Sequence, residues 1–243
     1  MALAALVGSA PRHISFLETG RSRPSRGMVL RLGEALGVSL RERNRLLQAA
    51  GLPAAYPEAD MDGPGLAPFR AAIDRMLRAH LPYPAMVVDG HWNVISANRA
   101  CTALFGELVG TNIARRYFAD PAAAAAMIVN WPEVAWAGLA RLHHQLAQAP
   151  FDEELRELVD LAESAVSGLA RPAEPLSALV VCPWFRAGGQ VVRTIGMVAR
   201  FDAAAEVTLE ELRIELTYPQ DASAECFFRD LDRRSGGGDR ADL

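Results

Sequence analysis

The chain has 243 residues, of which 51% are hydrophobic and 22% are charged, and its formal net charge is −4. This composition provides enough apolar material for the packed cores of one large domain or two modest domains. No apolar run approaches the roughly 20 residues that a membrane helix needs, and Met1–Leu6 lacks the basic flank of a secretory signal. We therefore expect a globular cytoplasmic protein.

The first fifty residues differ from the rest of the chain in their charge. All 25 basic residues are arginine; eight of them stand against three glutamates in residues 1–50, a net charge of +5, while the remainder carries −9. A basic end on an acidic body favours contact with a polyanion such as double-stranded DNA. A solvated basic surface without a partner is the alternative at this stage.

Two helices are predicted in the second half of this basic region. Ser25 can cap the first, whose apolar residues recur at helical spacing until Gly37. Ser39 and Glu42 have the spacing of a capping box for the second helix, which Gly51 closes.

A short polar-faced helix and an arginine-containing turn precede these two helices. Pro11–Glu18 can turn Arg12, His13 and Ser15 outward, and Thr19–Ser25 is a turn marked by glycine and proline. Side chains of these types can contact base edges in a major groove, and arginines in the turn can contact phosphates.

The segment ISFLETGRSRPS resembles the end of the recognition helix and the following loop of the XRE-type helix-turn-helix family. The resemblance implies that Leu3–Gly8 is the preceding helix and Pro11–Leu17 the recognition helix. It further implies base-edge roles for Arg12, His13 and Ser15, and phosphate roles for Arg21 and Arg23. Members of the family begin with a further helix that this sequence does not include, so residues 1–51 are expected to form a helix-turn-helix whose first helix is missing. A purely architectural helical cap is the alternative.

A linker, a helix and a hairpin follow. Residues 52–65 are rich in Pro, Ala, Asp and Gly and have little periodicity, which is typical of a domain boundary. Leu66–Ala79 has the pattern of an amphipathic helix. Ala85–Val88 and His91–Ala97 flank an Asp89-Gly90 dipeptide, which predicts a β-hairpin with a type I′ turn.

Some 70 residues of helical pattern then separate the hairpin from the remaining strands. Asn130 and Glu133 are expected to cap a helix that reaches Gln148, and Asp152 to open another.

Three strands are predicted near the end of the chain, at Leu176–Phe185, Gln190–Phe201 and Glu211–Tyr218. The last alternates strictly, which predicts that Arg213 and its polar neighbours lie on a solvent-exposed face. A hairpin, a helical insertion and a three-stranded meander are the order of a PAS-like antiparallel-sheet domain. The fold class is therefore α+β, with this domain at residues 66–220 and a C-terminal tail at residues 221–243.

Four segments in this part of the chain, YPAMVVDGHWNVISAN, NIARRYFADP, IVNWPEVAWAGLARL and TLEELRIELTYPQD, resemble the MmyB-like ligand-binding domain that follows an XRE-type helix-turn-helix in bacterial regulators. The resemblance implies a PAS-like sensor that binds a small fatty-acid-like ligand in its interior and acts through the helix-turn-helix. The division of charge and the two sets of motifs further favour a homodimer, in which the ligand changes the relative placement of two helix-turn-helix modules.

A pocket for such a ligand requires apolar walls and a few polar groups for the head group. We select nine candidate ligand-binding residues, although each apolar one could equally be core and each polar one a surface residue: Trp92, Phe105, Arg115, Trp131, Trp136, Leu139, His143, Phe185 and Met197.

Catalytic signatures are absent from the sequence. It contains no Walker loop, no G-x-G-x-x-G, no G-x-S-x-G and no H-E-x-x-H, and its three cysteines lack metal-ligand spacing. We therefore expect no metal, no cofactor and no enzymatic activity. The sequence favours a DNA-binding regulator; the alternative is a lipid-binding or small-molecule-binding protein with a degenerate helix-turn-helix that no longer binds DNA.

Overall fold

The computed structural model describes residues 2–171 and 181–236, and it begins with a group of four helices. These are α1 (Ala2–Leu6), α2 (Pro11–Glu18), α3 (Arg26–Ala35) and α4 (Leu40–Ala49). The buried side chains of Ala4, Val7, Ile14 and Met28 form their shared core. The helical N-terminus predicted from the sequence is confirmed.

Both predicted serine caps are present, but only one behaves as expected. The Ser25 hydroxyl accepts a hydrogen bond from the Met28 N–H at 3.3 Å. The Ser39 hydroxyl likewise accepts from the Glu42 N–H, yet the reciprocal half of the capping box is missing. The Ser39 N–H donates instead to the carbonyl of Gln148 at 3.0 Å, so another part of the chain satisfies the donor that a capping box would use.

The rest of the chain is an α+β domain with a five-stranded antiparallel sheet. The strands are β1 (Ala85–Val88), β2 (Val94–Ala97), β3 (Trp184–Ala187), β4 (Gln190–Ala199) and β5 (Arg213–Pro219), in the order β2-β1-β5-β4-β3. This order, with the helical insertion between β2 and β3, confirms the PAS-like fold expected from the sequence.

Helices surround this sheet. A 3₁₀ turn and α5 (Ala67–Ala79) precede β1; α6 (Arg99–Phe105), α7 (Ile113–Phe118), α8 (Pro121–Met127), α9 (Trp131–Gln148) and α10 (Glu153–Val166) form the insertion; α11 (Val207–Glu211) precedes β5 and α12 (Ala222–Ser235) follows it. The largest core cluster lies within the insertion and includes Leu142, Leu158 and Ala162, which are fully or almost fully buried. Within the described ranges, no helix is long and apolar enough to cross a membrane.

The predicted alternation of β5 is present, but its polar face does not meet water as expected. Ile214 joins Ala85, Val87 and residues of α5 in one buried cluster. On the opposite face, Arg213 is only 1% exposed, and its guanidinium lies 4.4 Å from the centre of the Trp92 ring. Alternation separates two faces of a strand, but it does not say whether a polar face meets water or another part of the protein.

The β1–β2 hairpin forms, although not with the predicted type I′ turn at Asp89-Gly90. The loop spans residues 89–93, and the Asp89 carboxylate accepts hydrogen bonds from the N–H groups of His91 and Asn93 at 2.8 and 2.9 Å. The residue with positive φ is Trp92, at 70°, whereas a type I′ turn needs positive φ at both central residues.

Asn130 precedes α9 but does not cap it, contrary to the sequence prediction. Its side chain accepts from the Trp184 N–H at 2.8 Å and donates to the Cys182 carbonyl at 2.9 Å. Asn130 therefore fixes the start of β3 against α9. The predicted strand Leu176–Phe185 begins at Trp184 within the described residues, and its positions 176–180 lie outside them.

The predicted C-terminal tail begins with a packed helix, α12, over Ala222–Ser235. Phe228 is 0% exposed and Phe227 6% exposed, and both cluster with Val192 of β4. Arg99 of α6 forms an ion pair with Asp232 at 2.8 Å. Residues 222–235 are therefore part of the α+β domain; positions 237–243 lie outside the described residues.

Candidate functional site

A mainly apolar cavity of about 260 Å³ lies between the sheet and the helical insertion. Four strands and three helices contribute to its wall, which comprises Met86, Trp92, Phe105, Ile113, Ala114, Tyr117, Phe118, Trp131, Val134, Ala137, Gly138, Arg141, Leu142, Val181, Pro183, Phe185, Gly196, Glu215, Leu216 and Thr217. A pocket of this kind, apolar with a few polar groups, is typical of a small-molecule site.

The cavity wall includes a few polar groups, among them Arg141 on α9. Its guanidinium pairs with the Glu215 carboxylate on β5 and lies 4.4 Å from the centre of the Trp92 ring. Removal from water raises the pKa of the Tyr117 phenol, which keeps its proton available for donation. The buried indole N–H of Trp131 has no hydrogen-bond partner in the described part of the chain. Since a buried donor without a partner is costly, an acceptor atom of a ligand would be favoured near this wall.

Four of the nine predicted ligand-binding residues line this cavity: Trp92, Phe105, Trp131 and Phe185. The Phe105 and Phe185 rings are 5.0 Å apart in a T-shaped pair, which fixes one corner of the wall.

The other five predicted ligand-binding residues lie elsewhere. On the surface, Arg115 pairs with Glu157 and His143 with Glu163, both acidic side chains of α10. The Trp136 indole donates to the Ala170 carbonyl, and Leu139 belongs to the helical core. Met197 is 55% exposed on the opposite face of the sheet. The position of Met197 follows from strand alternation, because its neighbour Gly196 faces the cavity.

Arg141, Tyr117 and Glu215 are cavity residues that sequence reasoning did not select. On α9, positions 131, 134, 138, 141 and 142 share the cavity-facing surface, which is a helical spacing. The signal was therefore present in the sequence, but it does not distinguish the face that lines a cavity from the adjacent face that packs in a core.

Trp92 lines the cavity from the loop between β1 and β2. Its backbone occupies the left-handed region, which is costly for a bulky residue. The indole N–H donates to the Gln145 side chain at 2.8 Å, and both Arg141 and Arg213 lie over the ring. These contacts from α9 and β5 hold the residue in its strained conformation.

The predicted DNA-contacting residues lie on α2 and the loop that follows it. Arg12 and Ser15 are exposed on the helix, and Arg21 and Arg23 are exposed in the loop. His13 is half-buried, and its Nδ1 lies 3.1 Å from the Ser9 hydroxyl. The four exposed residues form one accessible group, while His13 also contacts the turn before α2.

Arg41 at the start of α4 joins the four-helix group to the α+β domain. Its guanidinium forms two hydrogen bonds with the Glu211 carboxylate, at 2.7 and 2.9 Å, and an ion pair with Glu58 at 2.6 Å. The hydrogen bond to Glu211, opposed by partial burial and supported by both acidic charges, raises the pKa of Arg41 above its ordinary value.

Two backbone N–H groups in the same first turn also bond to the α+β domain. The Leu40 N–H donates to the Glu210 carboxylate at 2.7 Å, and the Ser39 N–H donates to the Gln148 carbonyl at the end of α9. The orphan donors of a helix N-terminus are thus satisfied by the α+β domain. Helix α4 is attached both to the helix that lines the cavity and to the segment that leads into β5.

A helix-turn-helix with an exposed basic helix and loop, attached to a PAS-like domain that encloses a cavity, defines a ligand-responsive DNA-binding transcription regulator. The helix-turn-helix family HTH_3 matches residues 2–43, and the MmyB-like transcription regulator ligand binding domain matches residues 69–231. Because the latter match covers more than half of the chain, the protein belongs to the MmyB-like transcription regulators. Comparison with curated proteins gives no match.

Proposed function

We propose that a fatty-acid-like molecule bound in the apolar cavity controls the affinity of the helix-turn-helix for double-stranded DNA. The observation that carries this proposal is the attachment of α4 to both sides of the cavity domain, through Gln148 of α9 and through Glu210 and Glu211 before β5. Arg141 of α9 and Glu215 of β5 line the same cavity. A ligand that separates this pair would act on both elements that hold α4.

The composition of the wall supports the ligand class. Aromatic and aliphatic side chains make up most of it, which suits an acyl chain. A carboxylate head group would find in Arg141 a fixed guanidinium capable of bidentate binding. The volume of about 260 Å³ is near the lower end of the roughly 300–1,000 Å³ common for ligand pockets, which favours a single short or bent chain.

The proposal includes a homodimer in the cytoplasm. Two helix-turn-helix modules placed one DNA turn apart can bind the two half-sites of a palindromic operator. In such a dimer, a ligand-induced shift of α4 changes the spacing of the two modules and therefore their joint affinity.

Ligand binding is tested with the purified full chain and a cavity-filling variant. Native mass spectrometry should detect a co-purified acyl chain, and added acyl chains should raise the melting temperature because they bind only the folded state. Ala137→Leu, which fills the cavity wall, should abolish this thermal shift. Ala140→Leu, at an exposed position of the same helix, should retain it. An apo mass together with no thermal shift in the natural sequence would contradict the fatty-acid proposal.

The DNA-binding residues are tested with a double substitution. Arg12→Ala combined with Arg21→Ala should weaken binding to the protein's own promoter region by about tenfold or more and reduce the salt dependence of binding, because arginine–phosphate contacts release counterions. The matched control is Arg75→Ala combined with Arg78→Ala, which removes the same charge from exposed positions of α5. Equal binding by both double variants would argue against the assignment of α2 and its loop, and would favour a small-molecule binding protein that does not use this helix-turn-helix on DNA.

A further inference from the structure

A second cavity, of about 230 Å³, lies between the helix-turn-helix and the ligand-binding domain. The turn before α4 forms one side of it, and the ends of α9 and β4 and the start of β5 form the other. Its wall is more polar than that of the apolar cavity, and its ionisable side chains are Arg43, His91, Asp152, Arg200, Glu210, Glu211 and Arg213.

The acidic groups of this wall are already bound to donors. Both Glu211 oxygens accept from Arg41, and Glu210 accepts from the Leu40 N–H. Asp152 accepts from the Leu155 N–H at 3.0 Å and lies 2.9 Å from His91 Nε2. Although burial alone would raise it, the pKa of Asp152 falls to about 2 because of these hydrogen bonds. The pKa of His91 is raised, chiefly by the hydrogen bond to Asp152. Asp152 and Glu211 are thus already paired with donors, whereas burial raises the pKa of Glu210 despite its hydrogen bond from Leu40 and the nearby charges of Arg43 and Arg200.

The arginines, in contrast, retain unused donors. Arg213 is 99% removed from solvent; its Nη2 donates to the Asp89 carbonyl at 2.8 Å, and its Nε has no partner in the part of the chain that the structure describes. Burial, together with the charge of Arg141, lowers the pKa of Arg213 to about 10. Arg43 donates its Nε–H to the Val38 carbonyl at 3.0 Å. Within residues 2–171 and 181–236, its terminal amino groups and the Arg200 guanidinium have no hydrogen-bond acceptor, although the charge of Glu210 in the same wall acts on both arginines.

We propose that this cavity binds a small anion of the phosphate or sulfate type, held by Arg43 from the helix-turn-helix and by Arg200 and Arg213 from the ligand-binding domain. Three arginines that approach from different elements can surround such an anion with charge-assisted hydrogen bonds. Because the site is shared, occupancy stabilises the arrangement of the two domains seen in the structure. The proposal does not depend on what occupies the apolar cavity.

The test is a calorimetric titration of the full-length protein with inorganic phosphate and with sulfate. Ionic strength is held constant with chloride, which also serves as the reference anion. We expect saturable binding that Arg43→Ala and Arg200→Ala each weaken by about tenfold, the factor expected for one charge-assisted contact. Arg75→Ala, at an exposed position outside the cavity, should bind as the natural sequence does. A phosphorylated metabolite that binds tighter than inorganic phosphate would identify the anion as part of a larger effector.

Two results would overturn the anion site: no saturable heat with either anion, or equal affinity in Arg43→Ala, Arg200→Ala and the natural sequence. Circular dichroism of both variants checks that they fold; Arg200 is exposed, so its replacement leaves the core intact. Ala137→Leu should retain phosphate binding even where it abolishes acyl-chain binding, which separates a failure at this site from a failure of the proposed function.

Discussion

Replacement of Phe228 by alanine should lower the free energy of unfolding by about 3–5 kcal/mol, the range for deletion of a buried aromatic side chain. Phe228 is 0% exposed and contacts the core formed by Val192 of β4, Ala224 and Phe227. Its ring lies 5.9 Å from that of Tyr83 in a T-shaped arrangement. The loss should appear as a lower urea midpoint for the full chain.

The control for this prediction is Arg229→Ala on the same helix. Arg229 forms an ion pair with Glu225 one turn away on α12, and exposed pairs of this kind contribute little to stability. Its replacement should leave the urea midpoint of the full chain almost unchanged. If Phe228→Ala were equally mild, α12 would not be an integral part of the domain.

Helix α12 shows how much of this fold could be predicted from the sequence. Ala224, Phe227, Phe228 and Leu231 have the i, i+3, i+4, i+7 spacing of a buried helix face, and Asp221 caps the helix by accepting from the Ala224 N–H. The signal was present but surrounded by charged residues and three closing glycines, which resemble a disordered end. Local pattern alone does not show whether a partner surface exists for such a face.

The sheet was more predictable than its surroundings. Strands β4 and β5 lie within two residues of the positions expected from alternation and turn residues, because both signals are local. The environment of Arg213 was not predictable, since the groups that cover it, Trp92 and the loop at Asp89, are more than 100 residues away in the chain.

The wall of the apolar cavity was predictable in part for the same reason. Sequence reasoning selected Trp92, Phe105, Trp131 and Phe185 because large aromatic side chains are usually buried in the interior of a domain. Arg141 was missed because a charged residue on a helix is usually solvent-exposed, and its inward position depends on Glu215, which is 74 residues later in the chain. Trp136, five residues earlier in the same helix, was included, although its indole donates to the Ala170 carbonyl instead.

The contact between the two domains was not visible in the sequence at all. The capping box at Ser39 and Glu42 is a valid local pattern, and one of its two hydrogen bonds forms. The other donor is taken by Gln148, which belongs to a helix of the ligand-binding domain. Only one of the two hydrogen bonds of this local motif therefore forms, because a long-range contact with the ligand-binding domain takes the place of the other.

Asn98 gives the second large effect, because one buried side chain joins three elements. Its Oδ1 accepts from the N–H groups of Ala85 and Cys101 at 3.1 and 3.0 Å, and its Nδ2 donates to the carbonyls of Leu77 and Tyr83 at 3.1 and 2.8 Å. Asn98→Ala would remove this side-chain partner from all four backbone groups, although the Cys101 N–H also bonds to the Asn98 carbonyl at 3.0 Å. At about 1 kcal/mol or more for each buried group left unsatisfied, the free energy of unfolding should fall by about 3–5 kcal/mol.

A matched comparison with Asp120→Ala separates capping from cross-linking in this prediction. Asp120 caps α8 by accepting from the Ala123 N–H at 2.9 Å, at an exposed position, so its removal should cost only about 1 kcal/mol. Chemical denaturation of both variants gives the difference directly. If Asn98→Ala cost no more than Asp120→Ala, Asn98 would act only as the cap of α6. A cost several times larger would show that it holds α5 and β1 together behind the wall that carries Met86 and Trp92, and hence that the apolar cavity depends on a polar residue which does not itself line it.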